Sequence, residues 1–475
     1  MQQTAAHAAN NHQARTGEAT STPTLTLSMI VKDGARDLPE CLASVEGVAG
    51  EIVIADTGSS DGSVEIARRA GARVFSIPWE NDFSKARNLS LAQSTGDWVL
   101  MLDADERLDA GAASVLPALL ANENVCGYQV TIRNYVHSLQ TKIWDRPAKP
   151  NDSAYGPARD CAAYVDHENV RLFRRHPEIY FTGRVHETVG WQILGAKRQI
   201  ASSRLLIHHL GMLRDAEERA RKLLFYRDLG REKVRDMPQN SQAHFELGVS
   251  ELENFGNVHD ALAAIQKACA LNAQFGVAWF FAGVCHFRLG DFPSALGCFQ
   301  RAERAGHPTA AVAEMAGDTQ YNLGDYEEAV AGYRRGLKRD PGSATLESKL
   351  GLAEARAGNP RAGLRRIRNT IEREPANPEL YDRLILVNVW LNNLAQAAEA
   401  AERKLKAAPA SPEDHTRAAS IWAQMKQWQK AASVLRAGIA AFPDSEQLRA
   451  NLAKIEPLLN TEDPGANLPQ IIKVL

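Results

Sequence analysis

Short apolar runs alternate with amphipathic stretches over the first hundred residues. Residues 25–31, 51–55, 74–77 and 98–102 are apolar runs of strand length, while 38–45, 63–70 and 83–93 carry apolar side chains at helical spacing. Strand, helix, strand order repeated in this way predicts a mostly parallel sheet with helices on both faces. Sheets of that kind bind ligands at the carboxyl ends of their strands. Here those ends carry Lys32 and Asp33, then Asp56, then Asp103 and Asp105.

The second half follows a different rule. Prolines recur at Pro341, Pro375, Pro409 and Pro443, and small residues at Ala295, Ala329, Gly363, Ala397 and Ala431, in each case at a step of 34. Leu-Gly or Ala-Gly type pairs end at Gly248, Gly283, Gly317 and Gly351 on nearly the same beat. This is the period of tetratricopeptide helix pairs, in which small residues admit close helix contact and proline closes the second helix. About six repeats are expected over 241–460, stacked as a superhelix with a concave face and closed by a capping helix from Glu446. The aromatic residues Trp279, Phe280, Phe281, Phe287 and Phe292 read as packing between repeat helices, and the run Arg361, Arg365, Arg366 and Arg368 as a solvated helix face.

Residues 214–240 are strongly helical in composition and read as a linker between the two units. Residues 137–167 mix prolines, glycine, Asn151 and aromatics without a period, and read as a long loop placed as a lid. The two ends, 1–23 and 461–475, read as a disordered and a loose tail.

Composition narrows the class. The 475 residues are 44% hydrophobic and 24% charged, an ordinary globular balance. Lys and Arg number 55 against 57 Asp and Glu, so no basic field argues for nucleic acid. Apolar runs stop far short of a membrane span. The six cysteines fall in no CxxC pair, which suits free thiols in a reducing cytoplasm better than disulfides or zinc. The expected location is cytoplasmic, in solution or at the inner face of the membrane.

Candidate chemistry sits after two strands. Asp103-Ala104-Asp105-Glu106 follows the run 98–102, and two carboxylates spaced i, i+2 at a strand end can turn toward one ion. Oxygen ligands of this type suit Mg²⁺ or Mn²⁺ on a diphosphate. A solvated turn explains the same spacing. Asp56-Thr57-Gly58-Ser59-Ser60-Asp61-Gly62 also leaves a strand for a helix, and only Asp56 goes beyond what a plain turn needs.

Taken together, LSMIVKDGARDLPECLASV, EIVIADTGSSDGS and NDFSKARNLSLAQSTGDWVLMLDADE resemble the family 2 glycosyltransferases. The resemblance implies a GT-A α/β domain over 24–213 that uses nucleotide-sugar donors. It implies that Asp56 contacts the base, that Asp103 and Asp105 form the DxD element with Asp105 the more direct ligand of Mn²⁺ or Mg²⁺, and that Arg87 lies near the donor. Lys32-Asp33-Gly34 stands where the family more often has Lys-Asn-Glu, so Asp33 is a donor-site candidate of unassigned role. Phe181-Thr182-Gly183-Arg184-Val185-His186-Glu187 resembles an F-x-G-x-x-H-E segment of a subset of these enzymes, including relatives acting on lipopolysaccharide core or on peptides. An inverting transferase needs a carboxylate to take the acceptor proton, and Glu187 is the candidate base. A structural pair with His186 is the competing reading. His208-His209-Leu210-Gly211 resembles the H-x-G element of the same subset, with spacing that favours His209 over His208, and the resemblance implies that His209 joins Asp105 as a metal ligand, a satisfied structural histidine being the competing reading.

The expected function is therefore metal-dependent, inverting transfer of a sugar from a nucleoside diphosphate donor. The acceptor is a protein or peptide, held with the help of the repeats, or else a cell-surface glycan or lipopolysaccharide core. A scaffold with an inactive transferase domain, docking protein partners on the concave face of the repeats, is the reading from a different class. Synthesis of the activated sugar is disfavoured, because no glycine-rich basic loop follows Met29.

Overall fold

The computed structural model describes residues 22–139, 141–143, 146–407 and 410–459. The two expected tails, apart from residues 22 and 23, and the repeat proline Pro409 lie outside the described residues. The chain forms two compact units, Met1–Pro238 and Gln239–Leu475.

The first unit is built on one mixed sheet. Its elements begin β1 (Leu25–Val31), α1 (Leu38–Ala43), β2 (Glu51–Asp56), α2 (Ser63–Arg69), β3 (Arg73–Ser76), α3 (Phe83–Gln93), β4 (Trp98–Met101), β5 (Glu106–Leu108), α4 (Ala112–Leu120) and β6 (Gly127–Val136). They continue with β7 (Lys142–Ile143), β8 (Arg146–Pro147), β9 (Lys149–Pro150), β10 (Ala163–Arg174), α5 (Gly190–Gly195), β11 (Ile200–His209) and α6 (Ala216–Asp236). The strand order is β3-β2-β1-β4-β10-β6-β11-β5, with β9 on β10.

The expected parallel sheet is found in β3, β2, β1 and β4. Beyond β4 it is mixed: β10 runs antiparallel to both β4 and β6, β11 parallel to β6, and β5 antiparallel to β11. Periodicity along a strand carries no information about the direction of its partner, so this half was not legible. Every residue of β1 is buried, and Leu27, Ile54, Trp98 and Leu100 pack in the core beneath the sheet. Such continuous burial is what a strand covered on both faces requires.

Two further expectations are corrected. The 137–167 loop is shorter than expected, since residues from Ala163 onward belong to β10, and the segment contains the β7–β8 hairpin and β9. Its far end is pinned, with Tyr155 stacked on His208 at 3.8 Å between ring centroids. Nor are residues 214–236 a linker: α6 belongs to the first unit, where Lys233 donates from Nζ to the Val185 carbonyl at 2.7 Å and Arg184 pairs with Glu232 at 3.3 Å.

The second unit is a run of helix pairs. They are α7 (Ser241–Glu253) with α8 (Val258–Leu271), α9 (Gly276–Arg288) with α10 (Phe292–Arg304), and α11 (Ala310–Leu323) with α12 (Tyr326–Arg339). Then come α13 (Ala344–Arg356) with α14 (Pro360–Arg373), α15 (Pro378–Trp390) with α16 (Leu394–Ala407), and α17 (Pro412–Gln424) with α18 (Trp428–Ala441), closed by α19 (Glu446–Ile455). The periodic glycines sit where the paired helix comes closest. A Cβ on Gly283 would meet the Phe299 ring at 2.5 Å, and one on Gly317 the Tyr333 ring at 2.8 Å. Phe280 and Phe281 are buried between helices, as expected, and Arg366 is taken up by Glu347 and Glu354. Among the described residues no helix is long and apolar enough to cross a membrane.

Candidate active site

The parallel half of the sheet delivers three acidic chain ends side by side, because β2, β1 and β4 are neighbours. At the end of β1, Asp33 adopts φ 49°. Its Oδ1 accepts from the Ser60 amide at 2.7 Å, so Asp33 fixes the loop after β2. At the end of β2, Asp56 is buried and accepts from the amides of Gly58 and Ser59 at 3.1 to 3.2 Å. Both carboxylates thus organise one loop in addition to any ligand they meet.

After β4 the chain turns tightly across the sheet. The Asp103 amide donates to Glu106 Oε2 at 2.9 Å, and the Glu106 amide to the Asp103 carbonyl at 3.0 Å. This turn sends Asp103 and Asp105 to different partners.

Asp103 belongs to an arginine-centred cluster. Arg87, on α3 and only 5% exposed, donates from Nη2 to Asp103 Oδ1 at 2.7 Å and from Nε to Glu187 Oε1 at 2.5 Å, while its Nη1 has no partner among the described residues. Arg171 on β10 donates to Glu106 Oε1 at 2.8 Å and lies 3.8 Å from Asp103 Oδ2, with Nε and Nη1 unpartnered among the described residues. Desolvation would raise the Asp103 carboxyl, but the Arg87 and Arg171 guanidiniums overcome it and hold it down to about 2. Glu106, enclosed beside these charges, is pushed up by burial. Asp103 keeps 38% of its side chain open and is the member of the cluster a ligand can reach.

Glu187 is placed by the segment that precedes it. Asn88 on α3 pairs with the Phe181 backbone in both directions, at 2.9 and 2.7 Å, and the Phe83 amide donates to the Arg184 carbonyl at 2.9 Å. Gly183 turns the chain at φ 101°, where a Cβ would also press on the Lys233 ammonium at 3.1 Å. The segment is thereby clamped between α3 and α6, and Glu187 ends 10% exposed against Arg87.

Asp105 meets the end of β11. His209 Nε2 lies 3.7 Å from Asp105 Oδ2, and its Nδ1 is 2.7 Å from Asn134 Oδ1. The Asn134 amide nitrogen is committed to the Val165 carbonyl at 3.0 Å, so its oxygen faces His209 and takes the Nδ1 proton. Nε2 is left turned to Asp105. A Cβ on Gly211 would fall 2.6 Å from both Asp105 Oδ2 and His209 Nε2, so only glycine leaves this space open. Against desolvation, the His209, Lys222 and Arg214 charges hold Asp105 well below the usual carboxylate range, and Asp105 in turn raises His209. His208, one residue earlier, points to the other face and is satisfied by Tyr135 at 2.8 Å and Asp109 at 3.0 Å.

A carboxylate and an imidazole nitrogen flanking an open space fit a divalent cation such as Mn²⁺. Among the described residues no third carboxylate, histidine or cysteine converges there. An ion held by these two groups would need its remaining ligands from outside the protein. Asp103 faces the arginines instead, so the two DxD carboxylates divide their work. Arg171, Asn134, Arg214 and Lys222 were not legible as site residues. The one sequence signal was an arginine set between Val170 and Leu172 in a strand.

Comparison with known proteins agrees with this architecture. Residues 27–179 match the family described as glycosyl transferase family 2, and residues 251–311 and 283–344 match the tetratricopeptide repeat. The first unit therefore carries a family 2 glycosyltransferase domain of GT-A type, and the second is a tetratricopeptide solenoid. The chain is 34% identical over 198 residues to a TPR repeat-containing protein of Synechococcus elongatus, across 40% of this chain and 43% of that one. It is 27% identical over 172 residues to the SPbeta prophage-derived glycosyltransferase SunS of Bacillus subtilis, across 36% of each. It is 36% identical over 105 residues to the lipopolysaccharide core biosynthesis glycosyltransferase LpsC of Rhizobium meliloti, across 21% of this chain and 38% of that one. The chain thus spans less than half the length of each of these relatives.

Proposed function

We infer that the protein transfers a sugar from a nucleoside diphosphate donor to an acceptor with inversion at the anomeric carbon. The observation that carries this reading is Arg87 holding Glu187 and Asp103 together at the carboxyl edge of the sheet. In the reaction, a lone pair of the acceptor nucleophile forms the new bond to the anomeric carbon. The bond from that carbon to the diphosphate oxygen breaks, and its electron pair leaves with the diphosphate. The acceptor proton passes to Glu187, whose Oε1 is held by Arg87 and whose Oε2 is left to receive it.

Asp56, Asp33 and the loop between Gly58 and Ser60 face the nucleoside, and Asp103 with Arg87 the sugar and diphosphate. Asp105 and His209 would hold Mn²⁺ or Mg²⁺, which when bound offsets the charge that develops on the leaving diphosphate. Lys222 and Arg214 add positive charge on the same side, 4.0 and 3.4 Å from Asp105 Oδ2.

A polypeptide acceptor is supported by the repeat unit, since tetratricopeptide arrays bind extended peptides on their concave face. A lipopolysaccharide core acceptor is the second reading, favoured by the likeness to LpsC. The scaffold reading is disfavoured by the intact set of charged groups. A cytoplasmic location belongs to the proposal and is supported by six cysteines of which none forms a disulfide. The test is nucleoside diphosphate release from a panel of UDP-, GDP- and dTDP-sugars with Mn²⁺, comparing wild type with Asp105→Ala. Release that the substitution abolishes supports the assignment, and silence across the panel together with tight partner binding favours the scaffold.

A further inference from the structure

We propose that β10 between Val165 and Val170 is an acceptor edge that takes an extended polypeptide as an added strand. This names the acceptor class for the transfer reaction and so rests on that reading.

One side of β10 is paired with β6 from Ala163 to Phe173. The other side is paired with β9 only at Ala163 and Tyr164, and with β4 only from Leu172 to Arg174. Among the described residues, no strand covers 165–171 on that side. The interruption lies inside the sheet, between two strands that flank the vacant position and set its spacing.

The backbone there is aimed outward in register. The Asn151 amide donates to the Ala162 carbonyl, and Tyr164 is the partner of Lys149, so even-numbered residues direct their N–H and C=O to this side. Two side chains stand in for the missing strand. Arg146 Nη1 donates to the Asp166 carbonyl at 3.1 Å, and the Val170 amide donates to Asn169 Oδ1 at 2.8 Å. Glu168, between them, presents its own amide and carbonyl to the same edge.

A cleft of about 410 Å³ lies along these residues, lined by Arg146, Lys149, Asp166, His167 and Glu168 among others. That volume is within the range of ligand sites, and four strand residues along 165–168 span about 13 Å. One end of the edge leads to the chemistry. Arg171 touches Glu106 and approaches Asp103, and His167 Nδ1 is 2.8 Å from the Asn134 amide that orients His209.

Donor and acceptor groups that repeat every second residue match a peptide backbone and no regular feature of an oligosaccharide. The cleft carries both signs of charge, so recognition through the main chain is expected to tolerate varied sequence. A Ser, Thr or Cys on the added strand would bring the hydroxyl or thiol toward Asp103 and Glu187.

The test uses the full chain, a pool of synthetic ten-residue peptides with a central Ser, Thr or Cys, and amide hydrogen exchange over 163–171. The peptides should slow exchange at Asp166 and Glu168. Glu168→Pro removes an edge amide without touching the ladder to β6 and should weaken peptide binding at least tenfold. Glu168→Ala, which keeps the amide, should restore binding to within threefold of wild type. Unchanged exchange at β10 with saturating peptide, full binding by Glu168→Pro, or protection by an oligosaccharide pool and not by peptides would each overturn the proposal. Exchange in the wild type decides the matter even where the proline variant does not fold. Protection without any donor turnover would sink the transferase reading and leave the edge standing, whereas turnover without protection would do the reverse.

Discussion

Replacing Arg87 by Met keeps much of the side-chain volume and removes the one group that neutralises both Glu187 and Asp103. The two halves of the loss differ. The Arg87 and Glu187 side chains are 6% and 10% exposed, so breaking that pair strands a buried carboxylate, a change that costs about 3 to 5 kcal/mol. Asp103 is 38% exposed and keeps Arg171 within 3.8 Å, so its share is that of a screened pair, about 0 to 1 kcal/mol. Freedom from the unpartnered Nη1 offsets about 1 kcal/mol. The net expectation is about 3 kcal/mol for Arg87→Met. Glu187→Gln, which keeps an acceptor for Arg87 Nε, should cost about 1 kcal/mol, and the double variant should show a coupling of about 2 kcal/mol. Because the chain has two units, a single global unfolding energy is not defined. Exchange of the β4 amides, which reports opening of the first unit alone, supplies the free energies for the cycle. A cost below 1 kcal/mol, or a coupling below about 0.5 kcal/mol, would refute the bridging role.

Other consequences follow from the same geometry. Gly211→Ala places a methyl 2.6 Å from Asp105 Oδ2 and His209 Nε2, and should weaken Mn²⁺ binding at least tenfold in an EPR titration while the fold persists; unchanged affinity would remove this pair as the metal site. Asn134→Leu should also weaken Mn²⁺ binding, about 10- to 100-fold, by releasing the His209 ring. The stability of the first unit without metal should rise with pH between about 4 and 6.5, because buried His167, held down to about 4, stays neutral in the fold while the unfolded imidazole takes up a proton. Below that window it should fall as Asp103, depressed to about 2, takes up its proton, and above it as His209, raised by Asp105, loses one. Gly317→Val should destabilise the second unit by about 1 to 3 kcal/mol through the Tyr333 ring, measured by the thermal transition of the helices.

Much of the architecture was legible because it is written in periods. The 34-residue beat reports a steric requirement, the near approach of Gly283 to Phe299 or Gly317 to Tyr333, and only small residues meet it. The parallel strands were legible because burial on both faces leaves short runs free of charge and largely apolar, such as β1, where even Thr26 and Ser28 are buried. What the sequence hid were relations across the sheet. The strand β5 is three residues with two charges, Glu106 and Arg107, and is held by its partner β11 and not by propensity. The run of α6 reads as a polar helix, and its role as a clamp appears only where Lys233 meets Val185. Among the site residues, the structure brings His209 to 3.7 Å from Asp105 and joins Glu187 to Asp103 through Arg87. That bridge could not be read, because Arg87 lies 100 residues from Glu187 in the chain.

The most direct test of the central claim is steady-state release of nucleoside diphosphate from the productive sugar donor, with acceptor peptide present, in wild type and Glu187→Gln. The account predicts that Glu187→Gln binds donor as the wild type does and loses at least a hundredfold in turnover, with the loss narrowing at high pH, where the acceptor ionises without a base. Equal turnover by Glu187→Gln would contradict it.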